Sequence, residues 1–298
     1  MAGGETADIG DLVRTLTFDC ALTARVPRAA VVDNGRIGPG DLIVGLASFG
    51  APAAYEGGGY NSGIGANGLT AARHDVLGGG GDHQGTVAAR YPESFDPELP
   101  PHLVYSGRRG LTEAVPPAWG LPAGTTIGKL LLSPTRTYAP ILARLLREEE
   151  GGGGGLRGRI HGLVHCSGGG QTKALRCLPR GAPPLRLVKD ALFPTPPVFR
   201  LIEAEQARQL QQQQQEEEGG SGPSSAAASL WREMYQVFNM GHRLEAYVAD
   251  EAAARAVIDA AAALGVEGRV VGRVEPGLPG ARGHVLEVSG EHGVFVYQ

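Results

Sequence analysis

The segment HGLVHCSGGGQTK, residues 161–173, sets a histidine, a cysteine and a serine directly before three glycines. Glycine lets backbone N–H groups come close to an anion, so Gly168, Gly169 and Gly170 read either as an anion loop or as a tight structural turn. It is not a Walker A loop: the G-x4-G-K-[ST] spacing fails, and Ala174 follows Lys173. GTTIGKL, residues 124–130, fails the same test. His161 and His165 are four apart, which on a helix would align two metal ligands, but they fall on an apparent strand. A second chemical group lies near residue 1, where Gly3, Gly4, Glu5 and Thr6 precede Asp8 and Asp11. Carboxylates beside a glycine turn suit Mg2+, a cation that takes oxygen ligands and keeps its waters; a solvated loop is the plainer reading. Asn67-Gly68 is a turn dipeptide, and Asn239-Met240-Gly241 reads as a helix end. Arg73-His74-Asp75 has the residue types of a charge relay but reads as a loop, while Met234, Tyr235 and Phe238 read as core.

These residues need elements to position them, and hydrophobic periodicity supplies candidates. Residues 16–26 alternate apolar and polar and read as a half-buried strand; residues 41–47 (DLIVGLA) read as a more buried one. Residues 31–40 are turn-rich. In SPTRTYAPILARLLREEE, Tyr138, Ile141, Leu142, Leu145 and Leu146 share a helical face, and Pro140 should kink that helix or delay its start. Residues 160–164 form a strand entering the glycine loop, residues 231–238 a short helix, and residues 242–248 another alternating strand. Asp250 caps an alanine-rich helix ending at Gly265, residues 269–274 are a strand, and HVLEV-SGEHG-VFVYQ is a terminal hairpin. The fold class is α+β, a mixed sheet with helices on one face.

Composition narrows the function classes. The 298 residues are 42% hydrophobic, enough for one or two cores, with no 18-residue apolar run. A net charge of -4 gives no general attraction to nucleic acid or anionic lipid, so neither is an expected partner. Cys20, Cys166 and Cys177 form no CxxC pair, and no leader is visible, which points to a reducing, cytoplasmic setting, with organellar targeting left open. Glycine supplies 47 residues, far above the roughly 7% of ordinary chains, much of it in runs. The stretches near 78–90, 148–157 and 204–229, the last containing QQQQQEEEGGSGPSS, read as low-complexity insertions forming flexible loops.

The order of the motifs carries more than any one of them. GGETAD at residue 3, GDLIVGLASFG at 40, ANGLTAAR at 66, LLSPTRTYAP at 131, HGLVHCSGGGQTK at 161, FPTPPVFRLI at 193 and EMYQVFNMGHRLEAYV at 233 follow one another. Together they resemble the phosphoribosylformylglycinamidine cyclo-ligase, or aminoimidazole ribonucleotide synthetase, family over roughly residues 3–274. The resemblance implies an ATP- and Mg2+-dependent ligase of purine biosynthesis. Its substrate is a nucleotide, formylglycinamidine ribonucleotide, which is closed to aminoimidazole ribonucleotide. It also implies a homodimer for the full-length protein. Carried over residue by residue, Gly3, Gly4, Glu5 and Thr6 fall at the ATP end, with Glu5 toward the metal and the reaction. Asn67 and Gly68 match a substrate loop, Asn67 with a catalytic role. His165 is a catalytic residue, and Ser167, Gly168, Gly169 and Gly170 face the substrate phosphate.

Two departures qualify the resemblance. The family has a histidine directly before its Ser-Asn-Gly loop, where this chain has Gly65, and His74 is the candidate substitute. The family's Asp-Gly-Val-Gly-Thr-Lys segment occurs nowhere in the 298 residues. Residues 1–40 are therefore expected to be the last strands of an N-terminal ATP-binding and dimerisation domain, the chain to be a fragment, and residues 41–298 a C-terminal domain. The competing expectations are another ATP-dependent enzyme of the superfamily, such as one like formylglycinamidine synthase, and a C-terminal module acting as an inactive binding partner.

Overall fold

The computed structural model describes residues 21–66, 68–78, 98, 105–146, 156–179, 181–216 and 223–298. Among the described residues seven strands make one sheet: β1 (Leu42–Ala47), β2 (Ile160–His165), β3 (Leu185–Lys189), β4 (His242–Val248), β5 (Gly268–Pro276), β6 (Val285–Gly290) and β7 (Gly293–Tyr297). Their order is β2-β4-β1-β5-β3-β6-β7, with every neighbouring pair antiparallel except β3 and β6. The sheet is mixed, as expected. β1 is central because LIVGLA is apolar on both sides, and its alternate residues enter different cores. Ile43 and Ala47 join one cluster, Val44 and Leu46 the other.

The described helices are α1 (Leu69–Val76), α2 (Ile127–Leu131), α3 (Ala139–Leu145), α4 (Leu156–Arg159), α5 (Lys173–Cys177), α6 (Pro197–Glu216), α7 (Pro223–Val237) and α8 (Glu251–Ala262). None is long and apolar enough to cross a membrane. Helices cover both faces of the sheet, which corrects the expectation of one. α8 buries Ala253, Ala254, Val257 and Ala261, a helical stripe that packs with Ile141 and Leu145 of α3 against Val44, Leu46, Ala246 and Val248. On the opposite face Phe199 and Ile202 of α6, and Met234 and Tyr235 of α7, pack with Ile43, Leu187, Val271 and Tyr247. A sheet apolar on both sides requires two covers, since each exposed Leu, Ile or Val would forgo about 1.5–3 kcal/mol of burial.

Several local expectations hold. Asp250 accepts a hydrogen bond from Ala253 N at 3.0 Å and caps α8, and Gly265 ends that segment at φ +77°. Pro140 delays its helix, which begins at Ala139. Others fail. Residues 21–26 form no strand, and Leu22 and Val26 are 87% and 55% exposed; alternation makes a strand only where a sheet edge accepts its backbone. Residues 23–40 hold only two short 3-10 turns, so no strand precedes β1 among the described residues. The Gln-rich run is not all loop, because α6 continues through residues 211–216; Gln and Glu are good helix formers and extend a helix already anchored by Phe199 and Ile202. Arg73, His74 and Asp75 lie in α1, not a loop.

Candidate functional site

One end of the sheet gathers the motif loops. Ala47 ends β1, His165 ends β2 and His242 begins β4, and the ladder pairs Ala47 with His242 and His165 with Leu244. The chain leaves these ends in three segments: residues 48–68, residues 166–172, and the turn at residues 238–241 that leads from α7 into β4. Asn239, completely buried, joins them. Its Oδ1 accepts from Ser48 Oγ at 2.7 Å and from Gly241 N at 3.1 Å, its Nδ2 donates to Gly63 O at 2.8 Å, and its carbonyl accepts from Gln171 Nε2 at 2.5 Å. The sequence places Asn239 at a helix end, and its bonds there are those of a brace.

The glycine loop follows directly from β2. Gly168, Gly169 and Gly170 have φ of +61°, +118° and +49°, and Thr172 closes the turn by donating its N–H and Oγ1–H to Gly169 O. A Cβ at Gly170 would stand 2.4 Å from Phe238 O, so only glycine allows the loop this close to the end of α7. A Cβ at Gly68 would lie 2.4 Å from the Phe238 ring. Gly68 and Gly170 therefore both pack against Phe238, one on its ring and the other on its carbonyl. Ser167 and Gly169 are half-buried and Gly168 is exposed, so the face of the loop away from Phe238 is open. His165 is half-buried, its ring edge toward Tyr138 at 6.4 Å. Burial first, then the charges of Arg243 and Lys173, push its imidazole down to about 4, so it is a neutral proton acceptor at pH 7.

Beneath the loop lies a group that sequence reasoning missed. Lys189 of β3, fully buried, donates to Gln171 O at 3.0 Å, to Gln171 Oε1 at 2.9 Å and to Glu245 Oε1. Glu245 Oε1 is also 2.9 Å from His242 Nε2, and Oε2 accepts from Tyr247 O–H at 2.8 Å. Burial opposes ionisation of Glu245, but the Lys189 ammonium and His242 outweigh it and hold the carboxyl down at about 2. Cys166, His242 and Glu245 offer ligand atoms within 4.8 Å of one another. They do not fit Mg2+, which wants oxygen ligands and water, and Lys189 already supplies the positive charge. Burial raises the Cys166 thiol well above its usual range, so it is neither thiolate nor nucleophile.

The remaining expected residues are distributed as follows. Gly3, Gly4, Glu5, Thr6 and Asn67 lie outside the described residues. Gly68, His165, Ser167, Gly168, Gly169 and Gly170 are at the same sheet end. His161 is apart from them, its Nδ1 2.9 Å from Asp41 Oδ1. Asp75 ties α1 to α6 by accepting from Gln206 Nε2 at 2.6 Å, and the His74 ring packs against Tyr105 with centroids 5.9 Å apart. Residues 124–130 hold the cap and most of α2, with Thr126 accepting from Lys129 N at 3.3 Å. A cleft of about 700 Å³ opens beside it, lined by Tyr60, Asn61, Lys129 and Thr135 among others. The loop at residues 48–65 shapes this cleft and is held by Arg136, which bonds Glu56 and the carbonyls of Ala47, Phe49 and Ala51.

With this geometry in place, similarity to known proteins becomes informative. The chain is 30% identical over 287 residues to the phosphoribosylformylglycinamidine cyclo-ligase of Anaeromyxobacter dehalogenans strain 2CP-1, covering 94% of this chain and 59% of that protein. Proteins of the same name match at 28% in Myxococcus xanthus strain DK1622, over 93% of this chain, and at 28% in Methanopyrus kandleri strain AV19, over 97%. No family model matches the chain. The chain spans about 60% of the length of these curated relatives. It is a relative of the phosphoribosylformylglycinamidine cyclo-ligases, by similarity that runs along almost its whole length.

Proposed function

We propose that this chain supplies the nucleotide-binding part of an ATP-dependent cyclo-ligase that closes formylglycinamidine ribonucleotide to aminoimidazole ribonucleotide. The observation that supports this reading most is the packing of Gly68 and Gly170 against Phe238 at one end of the sheet, with Gly168 exposed and His165 beside the loop. The substrate phosphate is taken at this loop, where glycines at positive φ leave the backbone accessible beside Ser167. Lys173 adds a positive charge to the same loop.

A formamide carbon is a poor electrophile. Transfer of the terminal phosphoryl group of ATP to the formamide oxygen releases ADP and makes that oxygen a leaving group. The amidine nitrogen of the same molecule attacks the carbon, the C–N bond forms, phosphate departs with the oxygen, and the nitrogen gives up a proton. The attack is intramolecular, so holding both ends of the substrate contributes much of the acceleration. His165, neutral at pH 7, accepts the proton. Gly3, Gly4, Glu5 and Thr6 are proposed for ATP and Mg2+, Glu5 as metal ligand and Asn67 as a substrate contact. Mg2+ would screen phosphate charge. Cytoplasmic location and assembly as a homodimer accompany this reading.

The test is ADP release measured with and without formylglycinamidine ribonucleotide, alongside detection of the imidazole product. Release that depends on the nucleotide is expected, with kcat lowered about 10²–10⁴-fold in His165→Gln, the usual contribution of general base catalysis. ADP release indifferent to the nucleotide would contradict the proposal.

A further inference from the structure

Gly65 and Arg243 share one space. Arg243 leaves β4 toward the 63–68 loop and is 1% exposed. Its Nη2 donates to Gly63 O at 2.9 Å and to Ile64 O at 2.5 Å. A Cβ on Gly65 would lie 2.0 Å from Arg243 Nη1 and 2.2 Å from Nη2, closer than any atoms can approach, and Gly65 has φ +56°. The glycine is thus required twice, by backbone conformation and by the guanidinium filling the position of its missing side chain. Arg243 also continues into the other site loop, since its carbonyl accepts from Cys166 N at 2.5 Å, the residue after His165.

We propose that Arg243 is a positioning residue of this site, whose guanidinium fixes the turn at residues 63–65 and sets the electrostatic environment of His165. It stands where the sequence suggested that His74 might substitute for a lost family histidine; the group against Gly65 is Arg243. Being buried, it acts through the 66–68 loop and His165 and not by touching substrate. Among the described residues, the charged and titratable groups that bear on His165 are Arg243 from β4, Lys173 from α5 and Tyr138 from the segment before α3. Lys173 is half-buried and more open to solvent screening, so Arg243 is the stronger of the two cations.

The inference rests on His165 belonging to the proposed site, yet its test needs neither substrate nor turnover, so the two can fail separately. The experiment follows the His165 ring proton by NMR across pH in the full chain, with His165→Gln to assign the resonance and thermal melting to confirm folding. Arg243→Met is expected to raise the His165 midpoint, Arg243→Lys to leave it close to the wild type, and Lys173→Gln to raise it less than Arg243→Met. Gly65→Ala, which displaces the guanidinium without deleting it, should also raise the midpoint and serves if Arg243→Met does not fold. An unchanged midpoint in the folded Arg243→Met or Gly65→Ala protein would overturn the proposal, as would a Lys173→Gln effect larger than that of Arg243→Met.

Discussion

Lys189 and Glu245 are buried together under the glycine loop, and an ion pair in that setting is more informative when broken than when counted. Lys189→Met would leave a buried carboxylate facing His242, Tyr247 and the Cys166 thiol without a cation, at a cost of about 3–5 kcal/mol, read from the urea unfolding midpoint. A second expectation concerns protons. Burial lowers both His165 and His242 below the ordinary 6.5, so the folded state binds fewer protons than the unfolded state as pH falls from 6.5. Stability should therefore decline from about pH 6.5 toward pH 4, while Glu245, held near 2, keeps its contribution until more acid conditions. His165→Gln should flatten that decline in urea titrations at several pH values. The site loop was legible as residues, since His165, Ser167 and the three glycines are consecutive. Lys189, Gln171, Glu245 and Arg243 were not: a buried charge is recognised by its partner, and these partners are 18 to 180 residues away.

At the scale of elements, α2 shows how a local rule positions part of the cleft. Thr126 caps five residues whose Ile127, Leu130 and Leu131 are buried, and Thr126→Ala should cost about 1 kcal/mol, measured by thermal or urea unfolding. The loss should be larger in effect than the number suggests, because so short a helix has little cooperative reserve. Strands β1, β2, β4 and β5, the helix after Asp250 and the final hairpin were legible because period and caps agree there. The second helical cover was not, since β4 is buried along its entire length, Arg243 and Glu245 included, whereas the alternation of HRLEAYV reads as a strand with one polar face. β3, LRLVK, was missed for a related reason: Arg186 pairs with Glu275 and Glu287 on adjacent strands, which makes polar residues part of the ladder. The pattern over residues 16–26 misled in the other direction where it is described: residues 21–26 form no strand, and residues 16–20 lie outside the described residues.

At the scale of the molecule, the sheet end is one assembly. α7 ends at Val237, the turn at residues 238–241 braces three segments through Asn239, and Gly68 and Gly170 pack against Phe238. Such a surface is built before any ligand arrives, so its affinity should depend on charge at the loop more than on flexibility. The central claim is that the open face of residues 167–170 takes a nucleotide phosphate, and calorimetric titration with formylglycinamidine ribonucleotide tests it most directly. Ser167→Asp adds a negative charge to a half-buried position at that face and should weaken binding at least about tenfold, equal to roughly 1.4 kcal/mol, without lowering the melting temperature. Equal affinity in the wild-type and Ser167→Asp proteins would contradict the account.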